Sequence, residues 1–363
     1  MLEVSIDSGP LHGSRTGIGV AVQGTIDALS ARSDLGLRRY VCSARAKTSA
    51  GERRLPVPAA AAHRLWARSR RFPMDRWLGN PDIVHGTNYV VPPTRAPAVV
   101  SVYDCWFLDN PELAAPGFDH MAAVLRRSVD DGATVVTSSE ATSERVRELL
   151  ETEPITVHLG PPSRTTAPER RPPDVDPALE NHPFVVSIGT VERRKNVPTL
   201  LAAFERLAAE LPDVRLVIAG RDGDDAPAVE RMLARLDGST GARVLRMRDV
   251  DEPTKQWLLE HAAVLAYPSL DEGFGFPILE AQLARTPVVA SSAGSIPEVS
   301  GPAALLSLPT DPDALAANLH WVVTSESQSN RMIAMGARNA ERFSWEATAD
   351  ALAGEYRRLV DHG

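Results

Sequence analysis

Apolar positions in this chain follow two alternating patterns. Near-continuous β-branched runs recur in the first half, "LEVSID", "RRYVCSA", "DIVHGTN", "AVVSVYD", "ATVVTSS" and "ITVHLG", several separated by stretches with helical spacing. The second half repeats the habit with "FVVSIG", "VRLVIAG", "RVLRM", "AAVLAYPS", "PVVASS" and "AALLSL". Apolar strands alternating with helices predict parallel sheets covered on both faces, hence two doubly wound α/β domains. Ligands of such sheets bind beyond the carboxyl ends of the strands, so chemistry is expected at strand-to-helix loops, in a central cleft between the facing domains.

Between the halves, Pro161 to Pro183 holds seven prolines and few large apolar residues, the composition of a stiff, poorly packing connector. The expected division is a first domain at 1–165, a linker at 166–183, a second domain at 184–343 and a closing helix at 344–363. Ser344 is its cap, and Trp345, Ala349, Leu352 and Tyr356 share one face suited to packing back on the first domain. A length of 363 residues suits two cores of ordinary size.

No apolar run approaches the ~18 residues of a membrane span, and "MLEVSIDSGP" has no basic lead into an apolar segment. Cys42 and Cys105 lack metal-ligand spacing and cannot form a disulfide framework, which fits a reducing cytoplasm. The net charge of −8 argues against nucleic acid as a partner. That charge is uneven: from Arg38 to Arg76, eleven Lys or Arg face only Glu52 and Asp75. There Arg64, Arg68 and Arg71 fall at helical spacing beside Leu65 and Trp66, either a solvated face or a peripheral contact with an anionic membrane at its inner face.

The stretch "SLDEGFGFPILEAQ" follows a buried strand and places Asp271 to Phe276 in a glycine-bearing loop before a helix expected to begin at Pro277. Free N–H groups in the first turn, approachable glycine backbone and the helix dipole favour an anion such as a phosphate. Glu272 and Glu280 would repel that anion unless they accept hydrogen bonds from hydroxyls on either side of it, as a ligand with sugar, diphosphate and ribose in a row provides. The alternative is that Glu280 complements the dipole and Glu272 is an exposed loop residue. A second loop, Thr190 to Asn196, brings Arg193, Arg194 and Lys195 to a strand end, where cations could stabilise a departing diphosphate or form a solvated basic loop.

In the first domain, Gly17 and Gly19 precede an amphipathic helix without a third glycine, which suits a flexible acceptor-side loop better than a dinucleotide fingerprint. His85, Asn88, Tyr103 and Asp104 also lie at strand ends and are expected to face the cleft on the acceptor side; His85 has a structural alternative, and Asp104 could cap the next turn. Asp-x-Asp pairs recur at several places and none stands out, so no metal site is expected.

With these residues in place, the sequence resembles the GT-B retaining glycosyltransferases of family four, the group 1 glycosyltransferases. The likeness is most specific in "VVSIGTVERRKNVPTLLAAFERL", "LVIAGRDG" and "AYPSLDEGFGFPILEAQLARTPVVASSAGSIPEVSGPAALL", and looser in "TGIGVAVQGTIDAL" and "VVSVYDCWFLDNPE". It implies that Glu272 holds the donor sugar, Glu280 the nucleotide ribose, and Arg194 and Lys195 the diphosphate. It also implies contacts from Gly273, Phe274, Gly275 and Phe276, from Gly189 and Thr190, and from Arg248 near the base. Many relatives carry histidine before the aspartate where this chain has Tyr103 and Asp104.

The implied activity is transfer of a hexosyl unit from a nucleotide-diphosphate sugar, of GDP-mannose or UDP-hexose type, to a saccharide, lipid-linked or small-molecule acceptor, with no further cofactor. A sugar-nucleotide epimerase, a phosphorylase or a non-catalytic nucleotide-sugar-binding protein on the same fold are the alternatives.

Overall fold

The computed structural model describes residues 1–13, 16–43, 46–113, 117–163 and 165–362. Arg164 and Gly363, within the expected first domain and terminal helix, lie outside them. The chain forms two units, Met1–Pro162 with Phe343–Gly363, and Ser163–Arg342.

Unit 1 is built on a seven-stranded sheet of β1 (Leu2–Asp7), β2 (Leu35–Val41), β3 (Arg53–Arg54), β4 (Ile83–Gly86), β5 (Ala98–Val102), β6 (Thr134–Thr137) and β7 (Ile155–Thr156). Its order is β3-β2-β1-β4-β5-β6-β7, with every pair parallel. The two-residue strand β3 is the one that hydrophobic patterning missed, because an exposed Arg-Arg pair at a sheet edge has no apolar signature. Unit 2 carries β8 (Phe184–Ile188), β9 (Arg215–Ala219), β10 (Val244–Met247), β11 (Val264–Tyr267), β12 (Val288–Ser291) and β13 (Ala304–Ser307), in the parallel order β10-β9-β8-β11-β12-β13.

Both sheets are apolar on both faces. In unit 2, Val185, Leu216, Ile218 and Val264 pack under the helix Val197–Glu210, while Val186, Val217, Leu265 and Val288 face Trp257, Ile278 and Ile296 on the other side. Each such side chain contributes roughly 1.5 to 3 kcal/mol by leaving water. The proline-rich stretch packs better than its composition suggests. Val175 and Leu179, four apart around a 3-10 turn at Pro177–Glu180, are buried in this second cluster and tie the segment to unit 2.

The terminal helix Trp345–His362 belongs to unit 1. Ser344 Oγ accepts the Ala347 N–H at 3.1 Å, and Ala349, Leu352, Ala353 and Tyr356 are buried with Val4, Ile6, Val22 and Val99. Trp345 donates through Nε1 to Pro161 O at 2.8 Å, seated where Gly24 and Gly160 leave no room for a Cβ.

Candidate active site

In unit 2 the strand order reverses between β8 and β11, which pair directly through Val185 with Val264 and Val186 with Leu265. Chain leaving the two strands diverges there, and the crevice beyond their carboxyl ends is where an open parallel sheet binds ligands. The loop after β8 carries Arg194 and Lys195; the loop after β11 carries Glu272. The loops are joined by the Leu270 N–H, which donates to Arg194 O at 2.8 Å, and by Asn196 Nδ2, which donates to Pro268 O at 3.0 Å.

The three charged side chains converge. Glu272 is only 6% exposed; its Oε1 accepts from Lys195 Nζ at 2.6 Å and its Oε2 from Arg194 at 2.5 Å. Arg194 also donates to Asp271 O at 3.2 Å, and Lys195 Nζ donates to the buried Tyr267 hydroxyl at 3.0 Å, 5.0 Å from the centre of its ring. Burial opposes a charged carboxyl, but Arg194 and Lys195 outweigh it and hold the pKa of Glu272 down at about 2. Burial lowers the Lys195 ammonium below its ordinary value, Glu272 pulls it back up, and Arg194 pushes it down again. Tyr267 was not anticipated, since a tyrosine ending a buried strand reads as core; only its place beside the lysine loop distinguishes it.

The loop backbone is confined around these groups. Gly294, at φ +53°, sits against Asp271 and the Glu272 backbone, where a Cβ would lie 2.5 Å from Asp271 Oδ1. Ser295 secures the same turn, its N–H donating to Glu272 O at 3.1 Å and its hydroxyl to Phe274 O at 3.0 Å. Gly189 has φ +148° and faces the Lys195 stem, and Gly220, at φ +144°, packs against Gly189 O. Gly189 and Thr190 are half-buried.

The helix is Phe276–Leu283, one residue earlier than expected, with Gly275 (φ +96°) as its cap and Pro277 at the second position. Proline supplies no N–H and the Ile278 N–H is taken by Gly275 O at 3.0 Å, so the first turn has fewer open donors than anticipated. Glu280 is the fifth helical residue, past the first turn, and the dipole reading of it is corrected. Its Oε1 accepts from Lys255 Nζ, on the neighbouring helix Glu252–His261, at 2.7 Å, and Lys255 also meets Glu252 at 2.8 Å. Burial opposes the charge of Lys255, yet the two carboxylates raise its pKa above the ordinary value. Gly273 and Phe274 are buried, and the Phe274 and Phe276 rings meet edge to face. Arg248 follows β10 and pairs with Asp222 at 3.0 Å and with Glu230.

The expected acceptor-side residues fare differently. His85 is 1% exposed, with Nδ1 2.6 Å from the Tyr356 hydroxyl and Nε2 2.8 Å from Ser101 Oγ. Burial holds its pKa down at about 3, so this neutral interior imidazole joins the terminal helix to β4 and is corrected from a cleft-facing role. Tyr103 lines the same interior region, a pocket it shares with His85, Ser101 and Thr348, and burial pushes its phenol up despite a hydrogen bond with Ser101. Asp104 caps the following turn through Trp106 N at 3.1 Å. Gly17 and Gly19 are not in a loop: they lie in the first turn of the helix Gly17–Ser30, where Thr16 Oγ1 accepts the Gly19 N–H. Asn88 is half-buried, its Oδ1 without a hydrogen-bond partner among the described residues.

Residues 173–339 match the model of the family described as glycosyl transferases group 1. Among characterised proteins, O-antigen chain mannosyltransferase B of Escherichia coli is 29% identical over 287 residues, 76% of this chain and 74% of its own length. D-inositol 3-phosphate glycosyltransferase of Mycolicibacterium paratuberculosis is 36% identical over 185 residues, 49% of this chain and 40% of its own length, so less than half of that protein is matched. Sucrose-phosphate synthase from Thermosynechococcus elongatus superposes over 100% of both chains with a TM-score of 0.74 at 17% identity. Anabaena HepE in complex with UDP superposes over 98% of this chain and 99% of its own with a TM-score of 0.70 at 16% identity. At such identities the structural likeness shows the fold, that of the GT-B glycosyltransferases.

Proposed function

Since residues 173–339 match the model of the group 1 glycosyl transferases, we propose that the chain moves a hexosyl unit from a nucleotide-diphosphate sugar to an acceptor hydroxyl with retained configuration. The observation that carries this reading is the clamp of Arg194 and Lys195 on Glu272 at the reversal of the second sheet. Two preorganised cations at a strand end suit a leaving diphosphate, whose charge grows as the sugar departs. Glu272 keeps them in place before the donor arrives and accepts sugar hydroxyls once phosphate oxygens share the cations. Glu280, with one oxygen on Lys255, would offer the other to the ribose.

In the transfer, the bond from the anomeric carbon to the diphosphate oxygen breaks and one to the acceptor oxygen forms on the same face. The acceptor proton passes to a phosphate oxygen, and nucleoside diphosphate leaves. A carboxylate with both oxygens ion-paired and a pKa near 2 is a poor nucleophile, which favours this course over double displacement through Glu272. The mannosyltransferase and the UDP complex among the similar proteins support GDP-mannose and UDP-hexoses as the first donors to try.

Incubation with these donors tests the proposal. Nucleoside diphosphate release that depends on an added saccharide or lipid-linked acceptor supports it; interconversion of the donor without acceptor would replace transfer by epimerisation.

A further inference from the structure

The basic segment of unit 1 is absorbed by none of the chemistry above. It runs through the helix Ala59–Arg68 and the short helix Asp75–Leu78, and it is pinned to the core by Ala62, Trp66, Met74 and Leu78. With those four inward, three large apolar side chains are left outside: Leu65 is 42% exposed, Phe72 66% and Trp77 45%. Each of these three is preceded directly by an exposed arginine, Arg64, Arg71 and Arg76, and Arg68 is exposed between them. Among the described residues, none of the four guanidinium groups has a carboxylate or hydrogen-bond partner. Asp75 is the one acid between residues 53 and 81, and it is turned inward, accepting from Thr94 Oγ1 at 2.8 Å, Arg95 N at 3.0 Å and Ala96 N at 3.3 Å.

We propose that this face docks the chain onto the surface of an anionic lipid bilayer, with Leu65, Phe72 and Trp77 entering the headgroup boundary and Arg64, Arg68, Arg71 and Arg76 meeting lipid phosphates. The interleaving selects this occupant. Four guanidinium groups with no outward-facing acid among them call for an anionic partner, and the large apolar side chains next to them in sequence call for a hydrocarbon one, and the surface of an anionic bilayer supplies both. At a bilayer surface that pairing is favourable, because the arginine lies at phosphate level while the ring next to it reaches the acyl region. No helix among the described residues is long and apolar enough to cross a membrane, and the contact proposed is a peripheral one. Relative to the sequence expectation, Trp66 is removed as a core residue and Arg76, Phe72 and Trp77 are added. The proposal does not rest on the glycosyl-transfer reading.

Co-sedimentation of the full chain with vesicles of phosphatidylglycerol in phosphatidylcholine, against phosphatidylcholine alone, tests it. The chain is expected on the anionic vesicles, with binding falling about tenfold or more between about 0.1 and 0.5 M salt and in R64E/R68E/R71E/R76E. F72S/W77S, whose net charge is unchanged, is expected to bind about tenfold more weakly as well. Circular dichroism and donor turnover in vesicle-free solution should be unchanged in both variants, which separates this outcome from failure of folding or of the catalytic proposal. Absence of wild-type binding to anionic vesicles, or equal binding by the charge-reversed variant, would overturn it. So would self-association that F72S/W77S abolishes without any vesicle binding, which would assign the face to a second copy.

Discussion

Lys195 Nζ stands 2.6 Å from Glu272 Oε1, a contact between loops 77 positions apart in sequence that lead from adjacent strands. With Arg194 on the other oxygen, the carboxylate is the shared counter-ion of both cations. Glu272→Gln keeps the shape and removes the charge, leaving two crowded cations without it. Donor turnover is expected to drop by on the order of a hundredfold or more, as for loss of a preorganised polar group. Melting of the unit holding residues 163–342 should also fall, by the equivalent of about 3 kcal/mol, the scale for breaking a covered ion pair. Steady-state kinetics and a thermal melt read the two effects separately, and near-normal turnover would remove Glu272 from the mechanism.

The same pair sets an acid response. The folded-state pKa of Glu272 is about 2, below its ordinary 4.5, so its contribution to stability is complete above about 4.5 and is lost as pH falls toward 2. Unfolding followed from pH 6 to pH 2.5 should therefore show a smaller acid-induced loss in Glu272→Gln than in the wild type. Parallel curves would mean that other carboxylates govern the response.

Much of this site is legible in the sequence, and for a definite reason. Strand ends and glycine loops are local signals, so Arg194, Lys195 and Glu272 can be placed at loops, and Glu280 in the helix that follows, from apolar runs and turn residues alone. Which charges meet is not local. The pairing of Glu272 with the 194–195 loop and of Glu280 with Lys255 depends on strand order, which periodicity does not encode. His85 shows the converse: a histidine ending a strand has the same sequence signature whether its ring faces solvent or Tyr356 of a helix 271 residues later. The edge strand Arg53–Arg54 and the buried Val175 and Leu179 were missed because each breaks the usual link between apolarity and structure over only a few residues.

Lys255 is predicted to position rather than react. It holds one oxygen of Glu280 and is itself held by Glu252, so Lys255→Met should let the Glu280 carboxylate turn and weaken the contact proposed for it with the ribose. Loss of a contact made equally in ground and transition states raises KM and spares kcat. A rise in donor KM of about tenfold, with kcat within about twofold, is the expected split, given that hydrogen bonds to charged groups contribute roughly 1.5 to 3 kcal/mol. Lys255→Arg should restore most of the affinity. A collapse of kcat with KM unchanged would place Lys255 in the chemical step.

His85→Phe tests the interior assignment. The substitution leaves the Tyr356 hydroxyl and Ser101 Oγ without their ring partners, which should destabilise unit 1 by roughly 1 to 3 kcal/mol for each unsatisfied group. Because the folded-state pKa is depressed to about 3, the unfolded chain binds this proton more readily, and the imidazole lowers stability as pH falls from about 6.5 toward 3. The variant should lose that part of the acid dependence while its pH–rate profile between about pH 6 and 8 keeps its shape. A lost kinetic pKa near neutrality would return His85 to the active site.

Gly220 gives the sharpest steric test. It follows β9 at φ +144°, a conformation side chains rarely adopt, and an added Cβ would collide with the carbonyl oxygen of Gly189 in the loop that carries Arg194 and Lys195. Gly220→Ala must either unwind its own backbone or push Gly189 aside, and Gly189 is itself strained for any other residue at φ +148°. The displaced loop would carry Lys195 away from Glu272. Donor-induced thermal stabilisation is therefore expected to disappear along with about 2 kcal/mol or more of intrinsic stability. Gly51→Ala is the control, since Gly51 shares a positive φ of +81° but has open space around it, and its loss should be limited to about 1 kcal/mol of backbone strain with donor binding intact. If both variants bind donor equally well, the collision between Gly220 and Gly189 is not transmitted to the cation loop, and the close packing of the two glycines serves the fold alone.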